Sequence, residues 1–392
     1  MRKKKILFYT SGIGLGGVEK VLLEILGLLD KKKFDIKVAL QNENENLFES
    51  EIPKEVSYKY MLSQKTINKL EYFKQRRRGN ILYRLFYSIM LKKRKKEIKK
   101  NYLEFSSDRE VVIDFKTGEF LKLINLKNGG VNKKRICWLH TDIKTLYKNS
   151  KNKEAFKSHL KQCDKIVCIC KEMQERASEL IKESDEKFKV IYNPFDINRI
   201  KRLAEDKSEL NEEEIKLLLD NYIIMVSRLD NVQKDFFTLI KAFKIVQEND
   251  KNIKLYLLGD GVDRKIIENL IAEENLQEKV KILGIKKNPY LWIKRSKFLV
   301  HSSIYEGLPT VLIEGLILNK RIISSNCPTG PTEILEKGKL GDLYDVGDYK
   351  SLAKLILKRL KNIDINVELI KKSIKKYDSQ NIKEEIEKLF LE

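Results

Sequence analysis

KILFYTSGIGLGGVEKVLLEILGLL, residues 5–29, joins three patterns in one stretch. KILFYT (5–10) is a short apolar run of strand length. SGIGLGG is a glycine turn, and VEKVLLEILGLL (18–29) repeats its apolar residues at helical spacing. FDIKVAL (34–40) is again a strand-length run. Strand, helix and strand in that order make a βαβ unit, and repeated βαβ units make a parallel sheet. The alternation continues through VVIDF (111–115), RICWL (135–139), KIVCI (165–169) and KVIYN (189–193). After Asn193-Pro194 it loosens into a charged stretch. It then restarts at YIIMVS (222–227), KLYLLG (254–259), KVKILG (279–284), KFLVHS (297–302) and KRIISS (320–325). The pattern predicts an α/β protein of two successive doubly wound domains divided near residues 194–215.

The chain has 392 residues, which is more than one ordinary core holds. It carries 79 Lys+Arg against 57 Asp+Glu, a net charge of +22, so attraction to something anionic is expected. Five cysteines, Cys137, Cys163, Cys168, Cys170 and Cys327, fit neither a disulfide framework nor paired CxxC metal ligands, and read as free thiols in a reducing compartment. No apolar run reaches the roughly 20 residues of a membrane-spanning helix. The apolar part of the N-terminus is too short for a signal-peptide core.

Three loops carry chemistry. Gly12, Gly14 and Gly17 spell GxGxxG after a first strand and before a helix, with Glu43 beyond the second strand. That is the context of a dinucleotide fingerprint, so a nicotinamide-dependent oxidoreductase is one reading of it. More generally, glycines and helix N-terminal amides favour a phosphate. In SRLDNVQKDF (227–236), Ser227, Arg228 and Lys234 follow the first strand of the second domain. A guanidinium fork and a lysine point charge there suit a diphosphate. In HSSIYEGLPTVLIEGL (301–316), Pro309 fits the first position of a helix whose leading amides, at Thr310 and Val311, lack intrahelical partners. Glu306 lies before that helix and Glu314 about one and a half turns into it, placed for the hydroxyls of a polyol.

E-G-L-P-T-V-L-I-E (306–314), with GGVE (16–19) and SRL…K (227–234), resembles the retaining nucleotide-sugar glycosyltransferases of family 4. The resemblance spans the chain, and NCPTGPTEIL (326–335) is similar to a segment of members that extend bacterial lipid-linked or surface glycans. It implies the GT-B fold: two Rossmann-like doubly wound parallel-sheet domains facing a cleft. The expected division is an acceptor-side domain over 1–197, completed by a C-terminal helix over 377–392, and a donor domain over 198–376. The resemblance further implies that Gly16 and Gly17 meet the donor phosphates, and that Arg228 and Lys234 neutralise the leaving nucleoside diphosphate. Glu306 then holds the transferred sugar and Glu314 the ribose. Ser227, Gly307, Leu308 and Thr310 line the donor, and the segments around Gly261 and 283–288 line its base. Asn288, before Pro289, reads rather as a helix N-cap. His140, in WLHTD (138–142), is expected on the sugar-facing side, with Asp142 as a group that orients it or the acceptor. UDP is the favoured nucleotide. No cofactor and no metal are expected. Glu306→Gln is expected to cut turnover while the fold survives, as a loop carboxylate is not core.

KQRRRGNILYRLFYSIMLKKRKKEIKK (74–100) holds twelve Lys/Arg and one Glu around an apolar middle. It reads as a basic amphipathic helix for an anionic membrane surface, the competing reading being a first-domain helix whose apolar face packs on its own sheet. Arg76, Arg77, Arg78, Lys92, Lys93 and Arg94 would supply charge, and Tyr83, Phe86 and Tyr87 would enter the headgroup layer. No nucleic-acid motif accompanies it, so nucleic acid is not an expected partner. The expected partners are a nucleotide-sugar, a glycan or lipid-linked acceptor, and the inner face of the cytoplasmic membrane, with the protein peripheral there. The readings set against this one are the oxidoreductase and a non-enzymatic membrane-docking module.

Overall fold

Two parallel sheets organise the chain, each the centre of its own unit. The computed structural model describes residues 2–14, 17–43, 48–116, 120–126 and 133–392. The first unit comprises residues 1–169, 174–194 and 380–392, the second 170–173 and 195–379.

The first sheet has seven strands: β1 (Lys4–Thr10), β2 (Phe34–Leu40), β3 (Ser57–Tyr60), β4 (Val111–Asp114), β5 (Lys134–Leu139), β6 (Lys165–Cys168) and β7 (Phe188–Val190). Their order is β3-β2-β1-β4-β5-β6-β7. The second sheet has six: β8 (Tyr222–Val226), β9 (Lys254–Leu258), β10 (Val280–Gly284), β11 (Leu299–His301), β12 (Ile322–Ser325) and β13 (Asp342–Tyr344), in the order β10-β9-β8-β11-β12-β13. Both are doubly wound α/β sheets of the GT-B type. Each apolar run named above coincides with a strand to within three residues. The strands missed, β3 and β13, lie at sheet edges. An edge strand is covered on fewer sides, so SYKY and DLY need no continuous apolar run. In each sheet the chain starts in the middle, builds to one side, and then crosses to the other. The reversal falls between β1 and β4 in the first unit and between β8 and β11 in the second. Ligands of such sheets gather beyond the strand carboxyl ends at that point.

The last helix, Ser379–Leu391, closes the first unit's core. Phe390 packs edge-on against Phe8 and Phe34, with ring centroids 5.9 and 6.1 Å apart. Lys33 Nζ lies 2.8 Å from the Glu387 carboxylate.

The basic stretch 74–100 is not one helix. Gly79 takes a positive φ of 81°, and Asn80 caps a new helix by accepting from the amides of Leu82 and Tyr83 at 3.0 and 3.3 Å. The result is two helices packed on each other, Gln64–Arg76 and Ile81–Phe105. Aromatic rings join them: Phe73 stacks on Phe86 at 5.5 Å, and Tyr83 packs against Tyr72 and Phe73. Arg76 lies over the Tyr72 ring and Arg77 over Tyr87. Facing solvent instead are Ile81, Leu82, Leu85 and Ile89, a stripe at helical spacing, with Phe86 at its margin. Arg78, Lys92 and Lys93 are exposed and Arg94 is half-buried. No described helix is long and apolar enough to cross a membrane.

Candidate active site

The second unit brings its expected residues together at the β8/β11 reversal. The loops after these strands run side by side. Asp235 N donates to Ser302 O at 3.0 Å, and Ile304 N to Gln233 O at 2.8 Å. This pairing sets Lys234 against Glu306, and the two form an ion pair. Glu306 is 6 % exposed, and the Lys234 side chain 11 %. The expectation that Glu306 is an ordinary loop carboxylate is therefore corrected: it sits in a loop but is core in its surroundings. His301 Nε2 lies 3.2 Å from Oε1, and Gln233 Nε2 donates to Oε2 at 3.2 Å. Burial by itself raises the Glu306 pKa. The Lys234 charge opposes it, and the carboxyl is held well below the usual range.

The backbone of Glu306 is fixed from the loop after β12. Its amide donates to Pro328 O at 3.1 Å, and Thr329 Oγ1 donates to its carbonyl at 2.5 Å. Glu172 in turn accepts from the amides of Thr329 and Gly330 at 3.1 and 3.3 Å. Gly330 has φ +97°, and a Cβ there would stand 2.5 Å from Pro309 Cδ and 2.9 Å from Gly307 O. The EGLP loop is thus held in one shape before any ligand arrives. Beyond it, Pro309 leads into the helix Thr310–Ile317, whose first amides have no intrahelical acceptor. Gly307 and Leu308 precede that helix end. Glu314 is buried inside it.

Arg228 is more open, its side chain 58 % exposed, and it donates to Gln233 Oε1 at 3.0 Å. Gln233 therefore bridges Arg228 to Glu306. The Ser227 hydroxyl and the Asn231 carboxamide are buried without a hydrogen-bond partner among the described residues. Such orphaned groups are uncommon in native structures and mark places where a polar ligand would be stabilised. Gly261 lies where the loop after β9 crosses the loop after β8. A Cβ on it would approach Leu229 O to 2.3 Å, and one on Gly259 would approach Ser227 O to 1.9 Å. Asn288 donates to the Leu203 carbonyl at 2.7 Å and accepts from the Tyr290 amide at 3.2 Å, which suits the cap role.

In the first unit, His140 follows β5. Its ring lies 4.5 Å from that of Phe115 and stacks with Trp138 at 6.4 Å. Burial lowers its pKa to about 3, and its Nε2 has no hydrogen-bond partner among the described residues. Asp142 does not orient it. Its carboxylate caps the helix Ile143–Asn149 through the Thr145 amide at 3.0 Å and receives Arg176 at 2.7 and 3.0 Å. Those bonds engage both oxygens, so Asp142 is held by the helix end and Arg176 and not by His140. Gly17 opens the helix Gly17–Leu28, and Gly16 lies outside the described residues. Beside this loop Lys116 Nζ contacts Ser11 Oγ at 2.6 Å and Glu19 at 2.9 Å. Among the described residues no group of three or more His, Cys, Asp or Glu is placed to hold a metal.

Sequence reasoning missed Gln233, His301 and Thr329. His301 was legible in part, as a polar residue ending an apolar strand. Gln233 and Thr329 carry no signal apart from the pairing of loops distant in sequence.

Residues 206–376 match the family model of glycosyl transferases group 1. An uncharacterized glycosyltransferase of Methanocaldococcus jannaschii is 34% identical over 55% of this chain and 52% of its own length. The N-acetylgalactosamine-N,N'-diacetylbacillosaminyl-diphospho-undecaprenol 4-alpha-N-acetylgalactosaminyltransferase of Campylobacter jejuni is 31% identical over 43% of each chain. These matches span about half the length of those relatives. Among solved structures, Anabaena HepE in complex with UDP and glucose superposes with a TM-score of 0.76 at 17% identity, over 98% of this chain and 99% of that one. The chain has the GT-B fold, and the segment that matches the group 1 glycosyl transferase model is the one that holds Arg228, Lys234, Glu306 and Glu314.

Proposed function

We propose that the protein is a retaining glycosyltransferase. It moves a sugar from a nucleoside-diphosphate donor to a membrane-associated, lipid-linked glycan in bacterial surface polysaccharide synthesis, without a metal or other cofactor. The observation that carries this reading is the buried Lys234–Glu306 pair beside the open Arg228, at the reversal point of the sheet in the family-matched unit. Departure of a nucleoside diphosphate develops negative charge. Arg228, Lys234 and the amides at Thr310 are donors for it, and charge set in place when the donor binds needs no rearrangement as the bond breaks. Glu306 accepts from hydroxyls of the transferred sugar, and Glu314 from the ribose. Ser227, Gly307 and Leu308 line the diphosphate, and Gly261 lies on the base side. In the first unit, Gly16 and Gly17 serve the phosphates and His140 the sugar. UDP is favoured, and the UDP held by HepE supports that choice.

The acceptor side rests on the two-helix element 64–105. Its aliphatic stripe lies within a strongly basic segment, as an interfacial element on an anionic bilayer requires. On this reading the protein is peripheral, at the inner face of the cytoplasmic membrane. Calorimetric titration with UDP, GDP and NAD, each in EDTA, tests the donor reading. Binding of UDP or GDP without NAD is expected, and binding of NAD alone overturns it.

A further inference from the structure

His301 is not among the residues assigned above to donor contact, yet its surroundings are unusual. The ring is 1 % exposed and touches three polar side chains. Nδ1 lies 3.1 Å from Ser324 Oγ, and Nε2 lies 3.2 Å from both Ser303 Oγ and Glu306 Oε1. Ser324 Oγ already donates its single proton to Ser325 O at 3.0 Å. Toward Nδ1 it therefore accepts, and this network assigns the ring proton to Nδ1. In the neutral ring Nε2 then carries a lone pair and accepts from Ser303. It also faces a carboxylate oxygen across a hydrogen-bond distance with no proton between them.

That arrangement is tolerable because Lys234 holds the same oxygen, Oε1. The charged groups facing the ring are Glu306 and Lys234. Burial lowers the imidazole pKa, Glu306 raises it and Lys234 lowers it. The nearby Cys327 thiol is pushed up to about 12 by burial. The Tyr344 phenol, which donates to Ser302 Oγ at 2.8 Å, is also raised by burial, so both are neutral. On the donor reading of this site, Lys234 turns from Glu306 to a phosphate. Glu306 would then keep Gln233 on Oε2 and lose the cation on Oε1.

We propose that His301 is a positioning residue that takes over the Glu306 carboxylate when Lys234 engages the donor diphosphate, accepting one proton from solvent at Nε2. The imidazolium so formed donates Nδ1–H to Ser324 and Nε2–H to Glu306 Oε1. Glu306 thus stays ionised and aimed while the lysine works elsewhere. Donor binding is thereby linked to proton uptake, and the affinity falls as pH rises through the histidine range. The inference rests on the donor reading, and its test separates the two.

UDP and GDP are titrated into the wild-type chain and into His301→Gln at pH 6.5, in buffers of differing ionisation enthalpy. The slope of heat against buffer enthalpy counts protons. The nucleotide's own phosphate titration is common to both proteins and cancels in the difference. A ring passing from neutral to an ordinary histidine pKa takes up ~0.5 proton at that pH. Wild type should exceed the variant by about that amount. The glutamine still offers Glu306 an amide N–H, so the variant is expected to keep its nucleotide affinity within about tenfold. As a second measurement independent of any variant's folding, ¹⁵N-histidine NMR of the wild type is followed on UDP or GDP saturation. The chain has three histidines, and one of them should move from the neutral to the imidazolium position. Nucleotide binding with equal uptake in both proteins, or with no histidine changing state, overturns the role of His301 alone. Absence of UDP and GDP binding to wild type overturns the donor reading and this inference with it.

Discussion

Replacing Glu306 by Gln tests whether the site is as buried as its geometry says. The change removes one charge and leaves Lys234 with a side chain 11 % exposed and no carboxylate opposite it. Breaking a buried pair from one side costs roughly 3–5 kcal/mol, because the remaining charge is desolvated without compensation. The lower end applies here, since Lys234 retains some exposure. The unit holding the pair spans 195–379. For a domain of that size, about 3 kcal/mol corresponds to a fall in Tm of roughly 6–12 °C. Lys234→Met strands the carboxylate in its turn, with His301 and Gln233 still beside it, and should cost a similar amount. The double variant removes both charges and leaves neither stranded. Its loss should fall short of the sum of the singles by about 2–3 kcal/mol, well outside the ~0.5 kcal/mol scatter of independent sites. Thermal melts of the four proteins, followed by circular dichroism, provide the cycle. If the losses simply add, or if Glu306→Gln shifts Tm by less than about 2 °C, the pair does not occupy a desolvated site and the reasoning fails. The same variant should lower kcat/KM by about 10- to 150-fold, from a lost charge-assisted bond of ~1.5–3 kcal/mol.

Acid should expose the same pair. The Glu306 carboxyl is held below its unfolded value, so its contribution is present above about pH 4.3 and is lost as pH falls through the folded pKa. Wild type should therefore lose more stability than Glu306→Gln between about pH 4 and pH 2 in urea titrations. His140 acts with the opposite ionisation. Its folded pKa of about 3 means that the unfolded chain binds the extra proton below about pH 6.5, so stability drops from there toward pH 3. His140→Phe should flatten that limb, and a limb that persists unchanged would contradict the burial. Gly259→Ala places a methyl 1.9 Å from Ser227 O at φ +135° and should depress both Tm and UDP affinity. Serine at Ile81, Leu82, Leu85 and Ile89 should abolish sedimentation with phosphatidylglycerol vesicles while circular dichroism stays unchanged. Retained binding would remove the stripe from the membrane contact.

The sequence made the sheets legible because central parallel strands are buried on both faces and so read as unbroken apolar runs. It was silent on β3 and β13 for the same reason inverted. In the site, Lys234 and Glu306 were legible singly, through turn glycines, Pro309 and charge. Their mutual contact was not, since it depends on how two loops 72 residues apart lie against each other. Gln233 illustrates the limit: a single amide in a polar loop, it becomes the bridge between Arg228 and Glu306 only once β8 and β11 are neighbours. Asp142 shows the reverse error, where proximity in sequence to His140 suggested partnership and a helix cap with Arg176 took both oxygens. In the basic stretch, composition did not show that one glycine with φ +81° divides it into two helices, or that aromatic rings join them.

The return of the last helix to the first sheet has a consequence for synthesis. Phe8 and Phe34 leave the ribosome early, but their partner Phe390 emerges more than 350 residues later. The second unit is an insertion between them, and its two ends are tied to each other: Phe195 N donates to Tyr377 O at 2.9 Å, and Ser379 N to Phe195 O at 3.1 Å. Residues 195–379 can therefore fold on emergence, while the first sheet keeps an uncovered aromatic face and waits. A nascent chain arrested before residue 380 would hold a finished second unit and an unfinished first one, the natural target of a chaperone and the place to look for misassembly.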